Sequence, residues 1–293
     1  MKAHFICGLP RAGSTLLSTL LAQNPRFHAT ITSPIFGIVS AIRQSISIPN
    51  EHYPIMSDDL RSRLYEGVFK SYYEQAVQSG KTMIFDSNRS WPVLLPLVST
   101  IFPESKMIVC VRSLAWVVDS LERLFRKNQT AIPSFFNDGT EARSVYSRTD
   151  TLMRADRIVG ASWNVTREGF YGEQSDRLLL LEYTYLATDP QRALRAVYDF
   201  IGEPMFEHRF TGLEMADQES IDKFDHALGV PGLHSVSSEV RTVSRPTLLP
   251  PDLFQRLDKM SFWRDTTGSN STVLAGPPEV SQDRRSLDAG RTR

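Results

Sequence analysis

Apolar residues are distributed along the chain in two patterns. Some form short continuous runs, and others recur at every third or fourth position over longer stretches. The apolar runs predict buried β-strands, and the periodic stretches predict amphipathic helices. The predicted strands span residues 4–7, 82–85, 106–111 and 177–182. The predicted helices span residues 14–23, 57–78, 92–101, 114–127, 151–168 and 190–201. Because continuous apolar strands must be covered on both faces, the pattern predicts an α/β fold with a parallel β-sheet flanked by helices.

Two stretches have neither pattern. Residues 129–150 are mostly polar, which predicts a long connection between helices. From Gly268 onward, Ser, Gly, Pro, Asp and Arg dominate, and so few apolar residues cannot form a packed core. We therefore expect one domain over residues 1–267 and a disordered C-terminal tail over residues 268–293.

Polar side chains directly follow the predicted strands. Asp86 and Arg89 follow the second strand, Arg112 ends the third strand, and Tyr183 follows the fourth strand. Because ligands of parallel sheets bind where the strands end, we expect these side chains to meet at one edge of the sheet.

A loop bounded by two glycines connects the first strand to the first helix. Its sequence is Gly8-Leu9-Pro10-Arg11-Ala12-Gly13-Ser14-Thr15. Glycines at a strand end and a helix start allow backbone amides to approach a phosphate closely. The spacing is that of a P-loop, but Ser14 stands at the lysine position, and the cation is Arg11 within the loop. The sequence predicts a phosphate site here, with an ordinary strand-to-helix turn as the alternative.

Composition narrows the classes of partner. The chain has 33 Lys and Arg against 33 Asp and Glu, so no overall basic charge favours nucleic acid or an anionic membrane. No apolar run is long enough to cross a bilayer, and the early first strand leaves no room for a signal peptide, so we expect a cytoplasmic protein. Two cysteines within strands and histidines without metal-ligand spacing predict no disulfide and no metal site.

Three motifs in order resemble the sulfotransferase family that uses 3'-phosphoadenosine-5'-phosphosulfate (PAPS). The family's first loop, P-[RK]-[SA]-G-[ST]-[ST], is matched by residues 10–15. An arginine after a strand and a serine eight residues later are matched by Arg112 and Ser120. The family's R-Y-E-D-L-x-x-D-P segment and the F-[LI]-G that follows it resemble residues 182–190 and 200–202. The resemblance spans roughly residues 4–265.

The resemblance implies a P-loop-like sulfotransferase fold and a set of binding residues. It implies that the 5'-phosphosulfate of PAPS binds at Pro10, Arg11, Ala12, Gly13, Ser14, Thr15 and Leu16. It further implies that Arg112 and Ser120 bind the 3'-phosphate and that Tyr183 lies near the adenine. The segment from His234 to Arg245 resembles a late loop of protein-tyrosine sulfotransferases that closes over the donor. Arg245 is then a candidate phosphate ligand, or alternatively a solvated loop residue.

The implied reaction moves a sulfuryl group from PAPS to a hydroxyl or amine of a small molecule or peptide, and no metal is expected. Arg11 would stabilise the leaving phosphate. Asp86 is the best-placed carboxylate for a general base, and Arg89 would hold a sulfuryl oxygen. A purely structural pair of Asp86 and Arg89 is the alternative. His28, His52 and Glu51 are weaker candidates for the base.

Two other function classes stay open. A P-loop kinase or NTPase would use Asp86 as a magnesium ligand, but the missing lysine counts against it. A non-catalytic nucleotide-binding protein on the same fold would bind the nucleotide without turnover. The irregular segments 32–56 and 128–150 are expected to line the acceptor side, while the acceptor's identity and the oligomeric state cannot be predicted.

Overall fold

The computed structural model describes residues 1–47, 50–128 and 132–279, and a six-stranded sheet forms its centre. The strands are β1 Lys2–Gly8, β2 Phe27–Ala29, β3 Met83–Ser87, β4 Met107–Val111, β5 Leu178–Glu182 and β6 Thr272–Leu274. Their order in the sheet is β2-β3-β1-β4-β5-β6, and every neighbouring pair is parallel. Strand β1 lies between β3 and β4. The loop that follows β1 is therefore next to the residues that follow β3 and the residues that follow β4.

Helices connect the strands. The α-helices are α1 Ser14–Leu21, α2 Ile35–Ser45, α3 Asp58–Tyr72, α4 Glu74–Gln78, α5 Leu95–Ile101, α6 Leu114–Lys127, α7 Val145–Leu152, α8 Ile158–Tyr171, α9 Tyr183–Thr188, α10 Pro190–Ile201, α11 Gln218–Ala227 and α12 Pro251–Asp258. Short 3-10 turns lie at Tyr53–Ile55, Trp91–Leu94, Ser175–Arg177 and Phe262–Arg264.

The predicted fold class is confirmed: the chain folds as a parallel sheet flanked by helices. All residues of β3, β4 and β5 are buried, which requires a covering layer on each face of the sheet. Helix α10 has the predicted bounds and ends at Gly202, whose φ of 70° suits a left-handed C-cap. Within the ranges that the structure describes, no helix combines the length and apolarity needed to span a membrane.

Some predicted boundaries are wrong. The single helix expected over 57–78 is interrupted at Tyr73, so that α3 and α4 are separate. The helix expected over 151–168 is divided by residues 153–157, and α7 already begins at Val145, inside the stretch expected to be a loop. Ser144 caps α7 through a capping box with Ser147, a local polar signal that overrides the weak apolar periodicity.

The predicted boundary at residue 268 is also wrong. Strand β6 lies within the stretch expected to be disordered and pairs with β5 at the edge of the sheet. Beyond it, the backbone N–H of Gly276 donates to the carboxylate of Glu182 at 2.9 Å. Backbone pairing and this hydrogen bond order a segment that has few apolar side chains of its own. The remainder of the predicted tail, residues 280–293, lies outside the described residues.

Candidate active site

The loop between β1 and α1 has an unusual backbone. Gly8 and Gly13 have φ angles of 111° and 96°. Arg11, with φ of 58°, is the one non-glycine residue with positive φ in the part of the chain that the structure describes. A Cβ atom on Gly8 would lie 2.2 Å from the carbonyl oxygen of Cys110 in β4. The loop therefore needs glycine at its start, both for its φ and for its close approach to β4.

Helix α1 begins at this loop with its N-terminus uncapped. Gly13 is the N-cap residue, and no described side chain accepts a hydrogen bond from the first turn. The first backbone N–H groups of the helix are thus available to a ligand, and the helix dipole favours an anion at this end.

Arg11 links the loop to two other parts of the fold. Its Nε donates to Ser120 Oγ in α6 at 3.1 Å, and its Nη1 donates to the carbonyl oxygen of Leu233. Burial, followed by the neighbouring charge of Arg112, lowers the pKa of Arg11 to about 10. The guanidinium therefore remains protonated at neutral pH, in a position where it has given up part of its hydration.

Arg112, immediately after β4, holds an anion in this structure. Its Nε donates to a Glu279 carboxylate oxygen at 2.7 Å, and its Nη2 donates to the other oxygen of the same carboxylate. Its Nη1 lies 3.3 Å from the carbonyl oxygen of Arg11, and its guanidinium lies 4.3 Å from the centre of the Tyr183 ring. Arginine also binds phosphate through two parallel hydrogen bonds of this kind, one to each of two oxygens.

These residues surround a first cavity of about 210 Å³. Among the residues predicted to form the site, those that line this cavity are Pro10, Arg11, Gly13, Ser14, Thr15, Leu16, Arg89, Arg112 and Tyr183. Residues between 233 and 243, nearly all of them within the predicted late loop that begins at His234, also line this cavity. The sheet edge thus brings together the glycine loop and the arginines that follow β3 and β4.

A second cavity of about 230 Å³ adjoins the first. Three residues line both cavities: Ser14, Arg89 and His234. Most of the other side chains that line the second cavity are apolar, and they come from Ile6, Ile31, Phe135, Ile158, Phe224 and Leu228. Arg89 has no ion-pair or hydrogen-bond partner among the described residues, and burial lowers its pKa. An unpaired guanidinium at this position favours a negatively charged group between the cavities.

One buried pair at the site, His234 with Asp225, is not indicated by any sequence motif. Asp225, in α11, has Oδ1 2.6 Å from His234 Nδ1, and its Oδ2 accepts from the backbone N–H of His234 at 2.9 Å. Both residues are buried. The motif around His234 indicated only a loop near the donor, and no spacing pattern connects it to a residue nine positions earlier.

The prediction of Asp86 as the general base does not fit the structure. Asp86 is fully buried and lines neither cavity. Its carboxylate accepts hydrogen bonds from Ser33 Oγ, Tyr73 Oη and Trp91 Nε1, the last at 2.6 Å. It does not pair with Arg89, so the alternative of a structural ion pair is wrong as well. Asp86 instead ties β3 to three surrounding segments.

Three other predicted binding residues lie outside the first cavity. Arg245 pairs with the buried Asp119 at 3.0 Å, so it neither faces the cavity nor is free in solvent. Ser120 reaches the site only through its bond to Arg11, and Ala12 is buried behind the loop. A motif places these residues near the site, but the available partners decide where each side chain lies.

The remaining candidates are distributed around the fold. Of the segments expected on the acceptor side, Thr32 and Phe135 line the second cavity; residues 48–49 and 129–131 lie outside the described ranges.

The three weaker candidates for the base, His28, His52 and Glu51, line neither cavity. His28 packs against Tyr73, and the exposed His52 lies 3.9 Å from Glu51. Among the residues described, no cluster of three His, Cys, Asp or Glu side chains could hold a metal ion.

Comparison with known sequences identifies one family. The sequence matches the family model described as the sulfotransferase family over residues 4–208, which is more than half of the chain. No curated protein matches the chain.

Several solved structures are similar to the chain. The sulfotransferase domain from the Synechococcus PCC 7002 olefin synthase is 19% identical, with 88% of this chain and 93% of that chain covered and a TM-score of 0.48. The sulfotransferase domain from the curacin biosynthetic pathway is 17% identical, with coverages of 70% and 76% and a TM-score of 0.47. Sulfotransferase STF9 from Mycobacterium avium is 15% identical, with coverages of 96% and 78% and a TM-score of 0.46.

Proposed function

Because the chain belongs to the sulfotransferase family, we propose that it transfers a sulfuryl group from PAPS to a hydroxyl or amine acceptor. The observation that carries this proposal is the Arg112 guanidinium, which holds a carboxylate beside the uncapped start of α1. An adenosine with anions at both its 5' and 3' positions needs two such anion sites next to each other.

The residues of the first cavity suit that donor. The amides at the start of α1, with Ser14 and Thr15, would hold the 5'-phosphosulfate. Arg112 would bind the 3'-phosphate in place of Glu279, and Tyr183, which already contacts the Arg112 guanidinium, would lie beside the adenosine. Arg11 and Arg89 would supply positive charge where negative charge develops during transfer.

In the proposed reaction the acceptor atom forms a bond to sulfur, the bond from sulfur to the bridging phosphate oxygen breaks, and adenosine 3',5'-bisphosphate leaves. The protein's part is to position the two reactants and to offset charge with groups already oriented for that purpose. The surroundings of Asp86 count against the kinase alternative. Its carboxylate is buried among three hydrogen-bond donors and does not line the first cavity, where it would have to hold magnesium.

The donor is tested by thermal unfolding in the presence of three ligands: adenosine 3',5'-bisphosphate, adenosine 5'-monophosphate, and ATP with magnesium. A ligand at 100 times its Kd stabilises the folded state by about 2.7 kcal/mol. We expect the bisphosphate to raise the Tm most, and Arg112→Gln to remove its advantage over the monophosphate. Arg63→Gln, on the exposed face of α3, is the control and should leave the ranking unchanged.

Either of two results would contradict the proposal. Equal stabilisation by the bisphosphate and the monophosphate would remove Arg112 as a 3'-phosphate ligand. Greater stabilisation by ATP with magnesium would favour the kinase or NTPase class instead.

A further inference from the structure

His234 stands between the two cavities and is held there on one side only. Asp225 binds both its backbone N–H and its Nδ1. No described residue hydrogen-bonds to its Nε2, and that atom is not among the buried polar atoms without a partner. The imidazole therefore has one nitrogen fixed by a carboxylate and the other open to the cavities.

The bond to Asp225 decides where the proton of the neutral ring lies. Nδ1 donates to the carboxylate, which leaves the lone pair on Nε2 free to accept a proton. Burial lowers the pKa of His234 below its ordinary value of 6.5; Asp225 opposes this shift, while the positive charges of Arg89 and Arg11 add to it. The ring is therefore neutral at pH 7 and able to act as a base.

The second cavity supplies the place from which a proton would come. The apolar side chains in its wall suit an apolar body, and polar side chains stand both at the boundary with the first cavity (Ser14, Arg89 and His234) and at the end of β3 and in the segment before α2 (Ser87, Asn88 and Thr32). Cys7 also lines it, but burial raises the pKa of that thiol well above its ordinary value, so it stays protonated. Among the described residues that line the second cavity, His234 is the group that can take a proton at neutral pH.

We propose, on the basis of the proposed function, that His234 is the general base and that the second cavity binds an acceptor with a hydroxyl group on an apolar body. The acceptor hydroxyl gives its proton to His234 Nε2 as its oxygen bonds to sulfur, and the bisphosphate departs with the electrons of the broken S–O bond. Asp225 is a positioning residue: it fixes the ring and stabilises the imidazolium that forms.

The test measures transfer from PAPS to 2-naphthol and cyclohexanol, with glucose as a polar comparison, between pH 5 and 9. The wild-type rate should rise with pH and level off above a midpoint below 6.5, because the neutral imidazole is the active form. General base catalysis contributes about 100-fold or more, so His234→Gln should lose at least that factor and lose the acid limb.

Asp225→Asn provides a second variant with a different signature. Without the carboxylate that raises the pKa of His234, the acid limb should move to lower pH, and the rate should fall because the ring is no longer held. His226→Gln, on the exposed side of the same helix α11, is the matched control and should keep both the rate and the pH profile. Bisphosphate stabilisation of each variant is measured in parallel.

The outcomes separate this inference from the proposed function. A His234→Gln rate within fivefold of wild type, or an unmoved acid limb in Asp225→Asn, would overturn the assignment of the base. Stabilisation by the bisphosphate without transfer to either apolar alcohol would overturn the acceptor class. Absence of bisphosphate stabilisation in the wild type would instead overturn the donor assignment on which this inference rests.

Discussion

The residues of the site differ in how far their positions can be predicted from the sequence. The sequence predicts Arg11 from its place in the short loop between β1 and α1, and Arg112 because it directly follows β4; the short covalent distance to a strand end places both at one edge of the sheet. The position of His234 depends on its tertiary contact with Asp225 in α11, and nothing in the sequence between them indicates that contact. Arg245 was placed wrongly because the buried charge of Asp119 binds it elsewhere.

Removing the Arg11 side chain should slow transfer strongly. Loss of one donor directed at developing charge costs about 2.7–4 kcal/mol of barrier, so Arg11→Ala should reduce kcat roughly a hundredfold or more. Initial rates with saturating PAPS measure this, and the Tm shows whether the variant is folded. Arg63→Ala, an exposed arginine of α3, is the control.

A folded Arg11→Ala variant with a loss below fivefold would assign Arg11 a purely structural role. Its bonds to Ser120 and Leu233 would then be the reason for its place in the loop.

Elements are predicted well where one physical pattern dominates. The strands β1, β3, β4 and β5 appear as apolar runs because each lies within the sheet and is covered on both faces. The edge strands β2 and β6 have three residues each and are only partly buried. Their pairing with a neighbouring strand, which no local pattern encodes, determines their conformation.

The junction of β1 and its loop permits a matched glycine comparison. Gly8 and Gly80 both have positive φ, but a Cβ on Gly8 would meet the Cys110 carbonyl, whereas a Cβ on Gly80 would meet nothing within 4 Å. Gly80→Ala should cost only about 1–2 kcal/mol for its φ. Gly8→Ala must also shift the backbone, so it should lower the free energy of unfolding, measured in urea, by more than Gly80→Ala does. It should also weaken binding of the bisphosphate.

Equal losses of stability in the two alanine variants would contradict the close approach of the loop to β4. The difference between the variants reports mainly the steric contact, because both glycines have positive φ, 111° at Gly8 and 90° at Gly80.

At the scale of the whole molecule, the C-terminal segment folds back onto the site. Glu182 at the end of β5 binds Arg264 at 2.7 Å and the backbone N–H of Gly276, and three residues later Glu279 reaches Arg112. Composition alone predicted a disordered tail here. It could not show that the partners of this segment, a sheet edge and two buried charges, lie far away in the sequence.

Glu279 occupies the place that we assign to the 3'-phosphate, so the two should compete. Glu279→Gln should bind adenosine 3',5'-bisphosphate several-fold more tightly than wild type, measured by isothermal titration. Glu239→Gln removes the same charge from the wall of the first cavity, which Arg112 also lines, without removing a partner of Arg112, and its effect should be smaller. An unchanged Kd in Glu279→Gln would mean that the carboxylate does not hold Arg112 in solution.

The boundary that Ser14, Arg89 and His234 form between the two cavities has a stereochemical consequence. When a sulfuryl group is transferred across this boundary in a single in-line displacement, the attacking oxygen and the leaving oxygen lie on opposite sides of the sulfur. Sulfur made chiral with oxygen isotopes would therefore emerge with inverted configuration. Retention would require two successive displacements through a sulfated side chain of the enzyme.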